Sequence, residues 1–122
     1  MQNVDLTGKK VLVVEDEPLA AIDHCEQLRL AGAIVVGPVA LVSDALACIS
    51  SHDLDVAVLD HALVDGNSEA LQTALEKRRV PYVILTGYPS MLVRRQKGQA
   101  ILQKPVSTEV LWDALRNACG SR

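Results

Sequence analysis

Val56-Ala57-Val58-Leu59-Asp60-His61 is the stretch that decides the fold. Four apolar residues run straight into a carboxylate. The run is too short for a helix and rich in β-branched side chains, so it reads as a buried parallel strand with an acid at its carboxyl end. In open α/β sheets that edge is where ligands and chemistry sit. The residues that matter for function are then those that can reach Asp60.

Downstream, Asp65-Gly66-Asn67 is turn chemistry, and Leu71, Ala74, Leu75 and Arg78 place a helix at about 68–79. Tyr82 to Thr86 forms the next strand, broken by Gly87-Tyr88-Pro89-Ser90. Met91 to Lys97 is weakly amphipathic and predicts a short or irregular helix. Ala100 to Gln103 is a last, short strand ended by Lys104-Pro105. Ser107 then caps a final helix whose inner face is Val110, Leu111, Ala114, Leu115 and Ala118.

Upstream, Lys10 to Val14 is the first strand. Pro18 opens a helix to about Ala31, with Leu19, Ile22, Cys25 and Leu28 as its inward stripe and Gly32 as its stop. Ala33 to Val36 is the second strand, with Gly37-Pro38 at its end. Ser43 is the expected cap of a second helix, with Val42, Ala45, Leu46 and Ile49 facing inward. Five strands alternating with five helices imply parallel strands and right-handed crossovers. The expected architecture is a doubly wound α/β fold with strand order 2-1-3-4-5, forming a single domain over residues 1–122 with its core at about 8–119.

Composition narrows the function. The 122 residues suffice for one core, and 49% of them are hydrophobic but only 2% aromatic, with no Phe, so the core is aliphatic. The net charge is −3. With no dense basic stretch and almost no stacking platforms, nucleic-acid binding is not expected. No apolar run approaches the ~20 residues of a membrane span, and the polar start is not a secretory signal. Cys25, Cys48 and Cys119 are odd in number and far apart, which suits small apolar side chains in a reducing cytoplasm.

The strand ends carry the chemistry. Strand one delivers Glu15 and Asp16, strand three Asp60, strand four Thr86 and strand five Lys104. Strands one and three flank the switch point, so Glu15, Asp16 and Asp60 should converge. Three packed carboxylates repel one another, and a hard divalent cation, Mg²⁺ or Mn²⁺, relieves that while holding phosphate oxygens. Asp60 would be a nucleophile forming an aspartyl phosphate. Lys104 would neutralise a phosphoryl oxygen, Thr86 would hydrogen-bond another, and Gly87 would leave room for the group. Glu17 reads as a helix-start acid.

VLVVEDEP, VAVLDHAL, ILTGY and LQKP, in that order and each at a strand end, resemble the receiver domain of bacterial two-component response regulators. The resemblance spans about residues 8–119. It implies a flavodoxin-like fold and phosphoryl transfer from a histidine kinase or histidine phosphotransfer protein to Asp60. Glu15 and Asp16 then look like the metal-binding pair, joined by Asp60 and the backbone carbonyl of Ala62. Thr86 resembles the switch hydroxyl and Lys104 the phosphate-binding lysine, aimed by a cis bond to Pro105. The output would be a surface around Tyr88, Ile101 and Trp112, read by an unidentified downstream protein, with a weak homodimer as a further partner. No output domain and no enzymatic activity beyond self-phosphorylation and self-dephosphorylation are expected.

The chain departs from the family pattern in three places. Ile101 stands where an aromatic switch residue is usual. The loop after Asp60 lacks a common proline, and its Gly66 comes early. Thr86-Gly87-Tyr88 resembles the alphaproteobacterial single-domain receivers with a Phe-Ala-Thr-Gly-x-Tyr motif, but Ile84-Leu85 replaces Phe-Ala. Two alternatives follow: a constitutive interaction module that no longer switches, and a small aspartyl-phosphate phosphohydrolase. Enzymes of the latter kind carry a second Asp where this chain has Ala62.

Overall fold

The apolar runs of the sequence form one parallel sheet in the computed structural model, which describes residues 6–63, 65–87 and 100–120. The elements are β1 (Lys10–Val14), α1 (Pro18–Leu30), β2 (Ile34–Val39), α2 (Val42–Ser51), β3 (Val56–Asp60), β4 (Ala62–Leu63), β5 (Gly66–Asn67), α3 (Glu69–Lys77), β6 (Tyr82–Thr86), β7 (Ala100–Gln103) and α4 (Thr108–Gly120). The sheet order is β2-β1-β3-β6-β7. With the two-residue strands β4 and β5 set apart as a small antiparallel hairpin, this is the expected 2-1-3-4-5 order of a flavodoxin-like fold. Among the described residues no helix is long and apolar enough to cross a membrane.

Alternation along the strands builds two cores, one on each face. Val11 and Val13 of β1, Val56 and Val58 of β3, and Val83 and Leu85 of β6 pack with Leu28 of α1 and with Leu111 and Leu115 of α4. Leu12, Val14, Ala57, Leu59 and Ile84 point the other way, against Ile49 of α2 and Leu71 and Leu75 of α3. Every residue of β3 is buried, as expected of a strand covered on both faces. The register sets Val14 beside Leu59 and Asp60 beside Leu85, so the residues that follow β1, β3 and β6 leave the sheet at one edge.

Several local expectations change. In α1 the buried face is Ala21, His24, Cys25 and Leu28, while Leu19 is 75% and Ile22 54% exposed. A strict spacing of three drifts about 60° per step around a 3.6-residue helix, so a stripe read at that spacing cannot stay on one face. Val110 of α4 and Leu46 of α2 also face solvent. The second strand does not end at Gly37-Pro38. A bulge between Leu12 and Val14 of the pairing carries β2 on to Val39, with Gly37 at φ 103° and a cis bond to Pro38. A Cβ on Gly37 would lie 2.9 Å from the Val13 carbonyl oxygen, so a side chain has no room there.

The cap of α2 is not Ser43. Leu41 holds the cap position without a side-chain bond, and the Val42 N–H donates to Asp65 Oδ1 at 2.8 Å. Ser107 does cap α4, its Oγ accepting from the Val110 N–H at 3.2 Å. Helix α3 starts at Glu69 and ends at Lys77. The helix expected over Met91–Lys97 lies outside the described residues, which contain four helices rather than five.

Candidate functional site

Four strand ends meet at the carboxyl edge of the sheet. The backbone there is fixed by the ladder and its continuation: the Glu15 N–H donates to Val39 O at 2.9 Å, His61 N–H to Leu85 O at 3.0 Å and Lys104 N–H to Thr86 O at 2.8 Å. The bulged β2 thus has a function, since only by reaching Val39 does it hold Glu15. Carboxylate oxygens of Glu15, Asp16 and Asp60 all lie within 4.8 Å of one another. Lys104 Nζ comes in from β7, 3.2 Å from Glu15 Oε1 and 3.3 Å from Asp60 Oδ2. Glu15 and Asp60 are buried and Asp16 is half-buried.

The electrostatics of this cluster follow from its crowding. Burial, then the hydrogen bond and negative charge of Glu15, push the Asp60 carboxyl from 3.8 up to about 7, with Lys104 opposing. Burial raises Glu15 as well, but its hydrogen bonds to Asp60 and the Glu17 N–H, together with Lys104, outweigh that and leave it lowered. Burial disfavours the Lys104 ammonium, yet the two carboxylates hold its affinity for a proton above the ordinary value. Two buried acids this close disfavour a double negative charge, and it is the charge of Asp60 that the site disfavours.

The cluster fits a hard cation. Glu15 Oε1 is fully buried and, although in ion-pair range of Lys104, has no aligned hydrogen bond. A buried carboxylate oxygen facing two further carboxylates is part of the oxygen-only donor set that Mg²⁺ takes. Glu17 stays out of it: its side chain caps α1 by accepting from the Ala20 N–H at 2.8 Å.

The remaining sequence candidates divide. Thr86 is buried at the end of β6, beside Gly87, where an added Cβ would meet nothing within 4 Å. The Lys104–Pro105 bond is cis. Ala62 opens the hairpin just after Asp60 and is exposed. Tyr88 lies outside the described residues. Ile101 and Trp112 do not share a face: Ile101 packs toward the α2–α3 core, whereas Trp112 packs toward the α1–α4 core and donates from Nε1 to Gln27 O at 3.0 Å. A single output surface containing both is therefore not what the fold builds.

His24, one of three histidines scattered along the sequence and not expected to bind metal, sits beside Lys104 in the fold. It is buried on α1 and lines a cleft of about 330 Å³ with Glu17, Ala20, Asp23, Lys104, Pro105 and Val106. Burial lowers its proton affinity, against the pull of Glu15 and Asp23. The i, i+3, i+4, i+7 set of Ala21, His24, Cys25 and Leu28 is the signal that would have placed it there.

No family model matches the chain. The solution structure of SdrG from Sphingomonas melonis Fr1 is 33% identical, superposes with a TM-score of 0.79, and is matched over 91% of this chain and 96% of that one. The crystal structure of the receiver domain of sensor histidine kinase PA1611 from Pseudomonas aeruginosa PAO1, solved with a magnesium ion in its active-site cleft, gives a TM-score of 0.82. It is 23% identical over 93% of this chain and 99% of that one. The chain belongs to the receiver-domain family of two-component signalling. Transcriptional regulatory protein PdtaR of Mycobacterium tuberculosis is 33% identical over 116 residues, which cover 90% of this receiver and 56% of that protein. The receiver therefore spans about half the length of the curated relatives it matches.

Proposed function

We propose that this receiver accepts a phosphoryl group on Asp60 from a histidine kinase or histidine phosphotransfer protein, with Mg²⁺ as cofactor, and that the phosphorylated form favours a different set of protein contacts. The observation that carries the reading is the approach of Lys104 Nζ to Asp60 Oδ2, at 3.3 Å, beside three carboxylates whose oxygens lie within 4.8 Å. Glu15, Asp16, Asp60 and the Ala62 carbonyl would hold the cation, which when bound supplies charge neutralisation for the phosphoryl oxygens.

This chain's own residues do the rest. An ionised Asp60 oxygen forms the new O–P bond while the P–N bond to the donor imidazole breaks, and the nitrogen keeps the electron pair. Lys104 neutralises a phosphoryl oxygen in the transition state, and the Thr86 hydroxyl donates to another. Burial of Glu15 and Asp60 strengthens each of these interactions. The donor protein needs a docking surface beside this edge. Leu19 and Ile22, exposed on α1, the helix that follows Glu15 and Asp16, offer an apolar one. The free thiols of Cys25, Cys48 and Cys119 suit a cytoplasmic setting.

The test is labelling by acetyl phosphate with Mg²⁺. Wild type should take up one phosphoryl group and Asp60→Asn none; equal labelling of both removes the reading. A fixed interaction module is the second reading, favoured by Ile101 in the aromatic position. It predicts no change in backbone chemical shifts with beryllofluoride and Mg²⁺. A phosphohydrolase is disfavoured because Ala62 provides no second acid, and it would show itself by turnover of an aryl phosphate.

A further inference from the structure

We infer that Asp65 is a positioning residue for the cation: it ties the tip of the hairpin after Asp60 to the first turn of α2, and so fixes the Ala62 carbonyl. The inference rests on the metal reading of the proposed function, in which Asp60 and Ala62 share one ion.

The hairpin is held at three points. At its base the Ser68 N–H donates to His61 O at 3.0 Å. In its middle, Leu63 is buried in the α2–α3 core. At its tip, Asp65 Oδ1 accepts from the Val42 N–H at 2.8 Å, from 23 residues away along the chain. That donor is one of the orphan N–H groups of α2, and Leu41 gives it no side-chain partner. A carboxylate at a helix N-terminus is also favoured by the helix dipole. Gly66 places the tip against Val42, whose Cγ2 would lie 3.8 Å from an added Cβ.

Ala62 pairs with Asn67 and Leu63 with Gly66, so Ala62 lies between the fixed base and the tied tip. With the tip released, the Ala62 carbonyl is held only through its neighbours, His61 at the base and buried Leu63, and by a two-residue ladder that is marginal alone. The bond between Asp65 and α2 therefore bears on the ion without touching it.

Calorimetric titration of the full chain with Mg²⁺, repeated with Mn²⁺ by paramagnetic resonance, tests this. Asp65→Ala should bind the ion about tenfold more weakly, the usual loss when an outer partner of a metal site is removed. Asp65→Asn keeps an oxygen acceptor and should restore most of the affinity. Val42→Pro removes the donor and leaves Asp65 in place. Proline suits the first helical position, and Leu41, at φ −111° and ψ 146°, already has the extended backbone required before it. Val42→Pro should weaken the ion as Asp65→Ala does, and the double variant should be no weaker than either.

Asp65→Ala with a lower Tm but unaltered affinity would overturn the inference, because the bond would then only stabilise α2. Additive losses in the double variant would overturn it too. Wild type that binds neither ion refutes the metal reading itself, and the inference with it; wild-type binding with unaltered variants refutes the inference alone.

Discussion

Replacing Asp60 should make the metal-free protein more stable. Asp60 titrates near 7 in the fold instead of at 3.8, because burial and Glu15 disfavour its charge. Between about pH 4 and pH 7 the folded state holds a proton that the unfolded chain has already lost, so stability falls as pH rises through that window. A rise of about three in pKa, at about 1.4 kcal/mol each, makes the full cost ~4 kcal/mol once Asp60 is ionised. Glu15, lowered in the fold, acts oppositely at the acid end: its contribution is present above its ordinary 4.5 and lost as pH falls. Asp60→Asn abolishes the Asp60 cost, which is already net of the attraction between Lys104 and the Asp60 carboxylate. The net favours the variant at pH 8 by up to ~4 kcal/mol, on the order of 10 °C in Tm for a domain of this size. Thermal melts from pH 5 to 8 in a chelator measure it: wild type should lose stability with rising pH and Asp60→Asn should lose much less. Saturating Mg²⁺ should raise wild type and leave the variant nearly unmoved. A variant less stable than wild type at pH 8 in chelator would refute the claim that the site disfavours the charge of Asp60.

Three further outcomes follow. Lys104→Gln should slow phosphorylation by acetyl phosphate about 100-fold, as loss of a charge-stabilising donor does, while Mg²⁺ affinity holds or rises because a competing cation is gone; rapid-quench kinetics and calorimetry separate the two. Leu19→Ser with Ile22→Ser should change unfolding free energy by less than about 1 kcal/mol, since both side chains face solvent, yet slow transfer from a phosphodonor protein at least about tenfold with acetyl phosphate labelling unchanged. Gly37→Ala, forced to φ 103° with its Cβ 2.9 Å from Val13 O, should cost about 2 kcal/mol or more by urea unfolding.

What was legible in the sequence was what depends on strands. A buried parallel strand is a continuous apolar run, so β1, β3, β6 and β7 could be read at the observed bounds, and the acids and lysine at their ends came with them. What was illegible depends on rotation about an axis or on distant partners. The α1 stripe was misplaced because its apolar residues outnumber its core positions, and Leu19 and Ile22 are apolar without being buried. The bulge that extends β2 hides behind Gly37-Pro38, a pair that usually ends a strand. The cap of α2 comes from Asp65, and no local pattern around Ser43 reports a side chain so far along the chain. Trp112 was placed on the helix, but its bond to Gln27 of α1 needed the tertiary structure.

The most direct measurement locates the phosphoryl group. After reaction with acetyl phosphate and Mg²⁺, borohydride reduces an acyl phosphate to the alcohol, so a phosphorylated aspartate is read as homoserine by peptide mass spectrometry. The account predicts homoserine at position 60, dependent on Mg²⁺ and absent when the ion is chelated. Homoserine at another acid, or a label that survives the chelator undiminished, would contradict it.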